Sequence, residues 1–465
     1  MLKILFLGML ATGLPVAIAM AGASLVYVLV AESTPPFVVI HRMISGIDSF
    51  PLLAVPFFIL AGNLMNNAGV TNRIYNYALS LVGWLKGGLG HVNVLGSVVF
   101  AGMSGTAIAD AAGLGTIEIK AMRDHGYSSE FSVGVTAASA TLGPIIPPSL
   151  PFVIYGMMAN VSVGALFLGG ILPGALMAIL MMATVAYFAH KNGWGSDIKF
   201  NRGRIARALI ETGVVAGWPL AIWFLVDDLG LHPQATVIGG LVVLFAADRY
   251  FRFEAVLPIM TPVLLIGGMS TGIFTPTEGA IAACAWAMVL GLAWYRTLSW
   301  KRFVKVCLDT VETTATVMFI VAAASIFGWM LTATGVTAAI AQWVLAFTQQ
   351  PWLFLLLANV LMLFVGCFLE PTAAITILVP LLLPIARQLG IDPVHFGLVM
   401  VLNLMIGLLH PPMGMVLFVL ARVAKLSVER TTVAILPWLV PLLLSLVILT
   451  YIPSVGLWLP KVMGF

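Results

Sequence analysis

The sequence predicts an all-α integral membrane protein in which broken helices recur in two halves, and two observations carry that expectation. The first is composition. Of 465 residues, 61% are apolar and 9% are charged, with a mean hydropathy of +1.08, whereas a soluble domain carries about 25% charged residues. Such a surface takes lipid as its solvent. The second is punctuation: paired prolines interrupt apolar runs at two separated places. The net charge of +4 is small and spread over loops, which excludes nucleic acid as a partner. Cys284, Cys307 and Cys367 form no metal or CxxC spacing and read as small core residues.

Along the chain, the apolar run 4–30 is longer than a signal-peptide core of about 7–15 residues, so it reads as an uncleaved first span. Lys191, Lys199, Arg202, Arg204 and Arg207 mark one cytoplasmic loop, and Arg422, Lys425 and Arg430 a second. Segments 208–226 and 234–247 read as membrane segments, and 256–295 as one apolar run. Proline lacks an amide donor and clashes with the preceding turn. The helices over 131–158 and 394–421 must therefore break at Gly143-Pro-Ile-Ile-Pro-Pro-Ser149 and Gly407-Leu-Leu-His-Pro-Pro412. Broken backbone at membrane depth is tolerated only against protein or a wet cavity.

The halves repeat. Asn93-Val-Leu recurs as Asn359-Val-Leu, Thr106-Ala as Thr372-Ala, and Gly69-Val-Thr as Gly335-Val-Thr. Gly143, Pro147 and Pro148 recur as Gly407, Pro411 and Pro412. A repeat of broken helices is the pattern of secondary transporters, with the site between the halves. Glycines 102, 105, 113 and 115 suit a chain that turns back, so 92–117 and 352–386 read as re-entrant hairpins with tips near Ser104 and Glu370. A carboxylate in lipid is costly, so Asp110 and Glu370 should face a polar cavity.

The motifs Phe-Ile-Leu-Ala-Gly62-Asn63, Gly102-Met-Ser-Gly-Thr-Ala-Ile-Ala-Asp110, Gly143-Pro-Ile-Ile-Pro-Pro-Ser149, Phe274-Thr-Pro-Thr-Glu278 and Asn403-Leu-Met-Ile-Gly-Leu-Leu-His-Pro-Pro412 span most of the chain. Through them the chain resembles the large membrane subunit of tripartite ATP-independent periplasmic (TRAP) transporters. The resemblance implies two inverted repeats, two hairpins of opposite entry and an elevator-type transport domain on a scaffold. It also implies residence in the bacterial inner membrane, sodium coupling, an organic-acid substrate, a small four-span partner subunit and a periplasmic binding protein, with no cofactor. The division is then 1–190 for the first repeat, 191–255 for the basic loop and added segments, and 256–465 for the second repeat. Two features depart from the pattern: His410 stands where threonine is usual, and 205–250 is longer.

Sodium is a hard cation that wants oxygens, which unwound backbone and half-helix C-terminal ends supply. Ser104, Gly105 and Thr106 facing Gly143, Pro144 and Pro147 make one candidate cage. Glu370, Pro371 and Thr372 facing Gly407, His410 and Pro411 make the other. Asp110, Ser139, Ser149 and Asn403 are the substrate-cavity candidates, half-helix N-termini being suited to an anion. One alternative is a rhomboid-like intramembrane protease with Ser104 as nucleophile and His410 as base. A dyad gives no reason for a repeat, and Glu370 rather than serine stands at the matching place. An ion channel is the other alternative. The chain has no Gly-Lys dipeptide, which excludes a P-loop ATPase. Inversion, counted over these spans, places Arg296, Lys301, Arg302 and Lys305 outside, against the positive-inside rule. It also makes 208–226 and 234–247 a two-crossing pair with a periplasmic turn at Asp227-Asp228-Leu-Gly230.

Overall fold

A computed structural model describes residues 1–31, 34–227, 233–270, 274–411 and 414–465. Pro412 and most of the turn 227–230 lie outside the described residues. Twenty-three α-helices are described. The first half begins with α1 (Leu2–Ala11), α2 (Val16–Ala31), α3 (Phe37–Ile47), α4 (Ala54–Asn67) and α5 (Val70–Val82). It continues with α6 (Gly88–Ser104), α7 (Ala107–Ala112), α8 (Leu114–Asp124), α9 (Ser129–Ala140), α10 (Leu150–Ala159) and α11 (Val163–Lys191). Then come α12 (Arg202–Asp227), α13 (Pro233–Phe251), α14 (Val256–Ser270) and α15 (Pro276–Met288). The rest is α16 (Trp300–Ala333), α17 (Val336–Phe347), α18 (Pro351–Gly366), α19 (Pro371–Gln388), α20 (Pro393–Gly407), α21 (Met415–Ala424), α22 (Val428–Tyr451) and α23 (Ser454–Val462). Six of the helical stretches described are long and apolar enough to cross a membrane, α11, α16 and α22 among them.

The breaks fall where the prolines require them. The helix over 131–158 divides into α9 and α10 around 141–149, and that over 394–421 into α20 and α21 around 408–414. Ser149 restarts α10, its Oγ accepting from Phe152 N at 3.3 Å. The chain also doubles back around Ser104: Asn93 on α6 donates to Glu118 Oε2 on α8 at 2.6 Å, although 25 residues separate them. In the second half α18 and α19 pack on each other across 367–370, and Glu370 caps α19.

The repeat has local counterparts. Gly69 (φ 72°) and Gly335 (φ 71°) both take the left-handed conformation ahead of α5 and α17, which glycine adopts without steric cost. Asn93 and Asn359 are both buried and each joins its hairpin to the neighbouring broken helix. Ser139 Oγ on α9 donates to Asn93 Oδ1 at 2.7 Å. Asn403 Nδ2 on α20 donates to Asn359 Oδ1 at 2.7 Å.

The basic clusters gather at one end. Tyr127 donates to Asp197 at 2.6 Å, and Arg123 to Ala424 O at 3.0 Å. Arg207 reaches Phe251 O at 3.4 Å, and Arg73 reaches Phe253 O at 3.5 Å. Arg73 also stacks on Tyr295, 4.0 Å from the ring centroid. Arg296 is therefore at the same end as Arg207, and the expectation that residues 296–305 lie opposite is corrected. The reason is that 256–295 is two helices rather than one run. Thr275-Pro276-Thr277-Glu278 is a capping box: the Glu278 carboxylate accepts from Thr275 N at 2.8 Å while Thr275 Oγ1 accepts from Glu278 N. Such a box opens a helix, so the motif adds a crossing. A cysteine at Ser299, with the three native cysteines replaced by serine, is expected to react with an impermeant thiol reagent in inverted vesicles but not in intact cells.

Candidate functional site

Between the halves lies a cavity of about 640 Å³. One wall is the end of α4, with Gly62, Asn63, Asn66 and Asn67, joined by Thr313 and Val317 of α16. The other wall carries both hairpin tips, Ser104-Gly105-Thr106 and Glu370-Pro371-Thr372, with Pro144, Leu408 and Met415 from the breaks. Gly69, Thr71 and Asn72 place its mouth toward the basic end.

The first tip is a helix end followed by a helix start. α6 stops at Ser104 because Gly105 turns left-handed at φ 63°. Thr106 then caps α7, its Oγ1 accepting from Ala109 N at 3.3 Å. The tip meets the first break closely. A Cβ built on Gly105 would lie 2.9 Å from the Pro148 carbonyl oxygen, and one on Gly143 would lie 3.2 Å from the Thr106 carbonyl oxygen. The scaffold is as near, since a Cβ on Gly62 would lie 2.9 Å from the Ser104 carbonyl oxygen. Backbone approaches backbone on both sides, a contact only glycine permits. Ser104 Oγ is buried without a hydrogen-bond partner. An orphaned hydroxyl costs about 1–3 kcal/mol, and a cation seated on it would relieve that cost. Ser104, Gly105, Thr106, Gly143 and Pro144 are thus brought together; Pro147 is joined to Pro148 by a cis peptide in the same break.

The second tip is built differently. Glu370 Oε1 accepts from Thr372 Oγ1 at 2.8 Å and Oε2 from Ala373 N at 3.3 Å, so its carboxylate caps α19. Gly407 presses on Gly366 rather than on the tip: a Cβ at 407 would lie 2.7 Å from Gly366 Cα. Glu370, Pro371 and Thr372 line the cavity, whereas Gly407, His410 and Pro411 do not. His410 Nδ1 pairs with Ile406 O at 3.0 Å, and Ser104 Oγ has no partner, so no Ser104–His410 dyad exists.

The four residues expected to line a substrate cavity sit behind its wall. Ser149 donates to the Pro144 carbonyl, while Ser139 and Asn403 serve the two asparagine clasps. Asp110 is 1% exposed beside Glu118, which Asn93 holds. The cavity's polar wall is instead the asparagine face of α4. Asn63, Asn66 and Asn67 stand at i, i+3 and i+4, the spacing of one helix face. That spacing is itself a signal in the sequence. Among the described residues, no Lys, Arg or His lines the cavity.

Comparison with known proteins agrees with this architecture. Residues 3–455 match the family described as "Tripartite ATP-independent periplasmic transporter, DctM component". The chain is 41% identical over 456 residues to the sialic acid TRAP transporter large permease protein SiaM of Vibrio cholerae, covering 98% of this chain and 97% of that one. It is 31% identical to the C4-dicarboxylate TRAP transporter large permease protein DctM of Rhodobacter capsulatus, covering 99% and 98%. The fold is similar to the crystal structure of the Alcanivorax borkumensis YdaH transporter, with a TM-score of 0.61, 15% identity and coverage of 90% and 88%.

Proposed function

Because the chain belongs to the DctM component family, the large permease subunits of TRAP transporters, we propose that it carries an organic acid inward with sodium. The protein is a membrane permease subunit of the inner membrane and not an enzyme. TRAP large permeases work with a small membrane subunit and a periplasmic binding protein; for this chain we propose a small subunit of four spans. The carboxylate class of substrate rests on the relatives, whose names give sialic acid and C4-dicarboxylates.

The observation that carries the sodium reading is the charge of the cavity. Its described lining holds Glu370 and no cationic side chain. An anion entering such a site needs positive charge from elsewhere, because an unpaired charge away from water is costly. A cation on Ser104 Oγ and the tip carbonyls would supply it, and at the second tip the candidates are Glu370, Pro371 and Thr372.

The elevator reading is supported by the two walls. The regions 1–190 and 256–465 each contribute a scaffold helix, α4 or α16, and a tip with its broken helix. Inversion is supported by the helix ends. α9 begins near Asp197 at the basic end and α10 finishes at Ala159, whose carbonyl accepts from Arg387 at 2.7 Å. α20 begins beside Tyr155, which donates to Pro393 O at 2.6 Å, and α21 finishes at Ala424 beside Arg123. The two broken helices thus run in opposite senses. With the basic end cytoplasmic, the cavity faces inward.

Uptake by protein reconstituted with its small subunit and binding protein tests this. Removing the sodium gradient is expected to abolish uptake with ATP absent throughout. Uptake that persists without sodium and follows a proton gradient would overturn the reading.

A further inference from the structure

A further cavity, of about 870 Å³, lies at the basic end, where the start of α5, the end of α13, the loop before α14 and residues 293–296 beyond α15 meet. The central cavity is separate from it. Four arginines, Arg73, Arg249, Arg252 and Arg296, line it. Asp248 and Glu254 are its carboxylates, two acids against four arginines. Asp248 Oδ2 accepts from Trp294 Nε1 at 2.8 Å. Glu254 stands in the turn whose amides are taken by Glu211, at 3.1 Å from Glu254 N and 3.0 Å from Ala255 N. Arg73 is held by the Tyr295 ring and the Phe253 carbonyl, and Arg296 Nε by the Ala293 carbonyl at 3.4 Å. Tyr295 OH is buried without a hydrogen-bond partner.

We propose that this cavity binds the phosphodiester headgroup of an anionic phospholipid from the leaflet at the basic end. Guanidinium groups match a phosphate with paired donors, and the Tyr295 hydroxyl adds an unused one. The source is lipid rather than free phosphate because exposed apolar and aromatic side chains flank the lining residues along the chain. Tyr250 is 82% exposed, Phe251 52% and Trp300 70%. Val242 and Val243, about two turns up α13, are also exposed. Aromatic rings at the headgroup level with aliphatic side chains on the hydrocarbon side make a membrane-interface surface, and a clustered basic pocket on the cytoplasmic side suits an anionic head. The bound lipid would tie α13 to the loop that precedes α16.

Thermal unfolding in detergent tests this. Phosphatidylglycerol is expected to raise the melting temperature by about 5 °C over phosphatidylcholine at a saturating ratio, with inorganic phosphate giving no rise. The triple variant Arg249→Gln, Arg252→Gln, Arg296→Gln is expected to lose that difference. The control Lys301→Gln, Arg302→Gln, Lys305→Gln, three basic residues outside the cavity, is expected to keep it. A difference that survives in the triple variant, that is lost equally in the control, or that inorganic phosphate reproduces would overturn the proposal. Should the triple variant not accumulate, Arg249→Gln alone is decisive: at least half the difference is lost, or the site is wrong.

Discussion

Gly105→Leu is expected to abolish sodium-dependent uptake while the protein still reaches the membrane. Two independent costs fall on one residue. Gly105 has φ 63°, where a side chain costs about 1–2 kcal/mol. Its Cβ would also sit 2.9 Å from the Pro148 carbonyl oxygen, which is backbone and cannot rotate away. A leucine there would push apart the tip and the break whose oxygens form the proposed ion cage. Gly105→Ala, with the same backbone cost and one methyl, is the graded companion and should lose about tenfold in uptake, a barrier change of about 1.4 kcal/mol. Ser104→Ala should be milder, since it removes one oxygen and also one unpartnered buried group. Counterflow measured in proteoliposomes at fixed protein incorporation checks the series. Normal transport by Gly105→Leu would remove the first tip from the mechanism.

Gly407→Val is expected to have the second-largest effect, on folding as much as on transport. Gly366 closes α18 and Gly407 closes α20, and the two backbones touch. A Cβ at 407 would fall 2.7 Å from Gly366 Cα and 2.9 Å from its carbonyl oxygen. Overpacking a well-filled core costs about 1–3 kcal/mol, and here both neighbours are main chain. A fall in melting temperature of several degrees, read by thermal unfolding in detergent, should accompany the loss of uptake. Gly335→Ala is the contrast: nothing lies within 4 Å of its Cβ, so only its left-handed backbone resists the change. Equal melting temperatures for Gly407→Val and the parent would show that the two helices separate freely.

The places where helices stop were legible because proline and glycine act on their own backbone. Gly143 to Ser149 and Gly407 to Pro411 break their helices whatever surrounds them. The side chains that face the cavity were less legible. Asp110 is the ionisable residue of its apolar run, and a carboxylate in lipid calls for a wet surface. The fold instead places it beside Glu118, in a buried group that Asn93, Thr136 and Ser139 complete. Ser149, a hydroxyl at a half-helix N-terminus, suits an anion by sequence but is a helix cap that also donates to Pro144. Partners far away in sequence decide both outcomes.

By itself the sequence determined the lipid solvent, the internal repeat, the two breaks and the two tips, since hydropathy and main-chain chemistry are local properties. Only the tertiary structure decided which faces look inward. α10, α18 and α20 are apolar on nearly every side, and a helix with no polar stripe carries no signal of its orientation. The Gly366–Gly407 contact, the asparagine wall of α4 and the side taken by residues 296–305 all depend on that orientation. The last also turned on one capping box, Thr275 to Glu278, which converts an apparently continuous apolar run into two crossings.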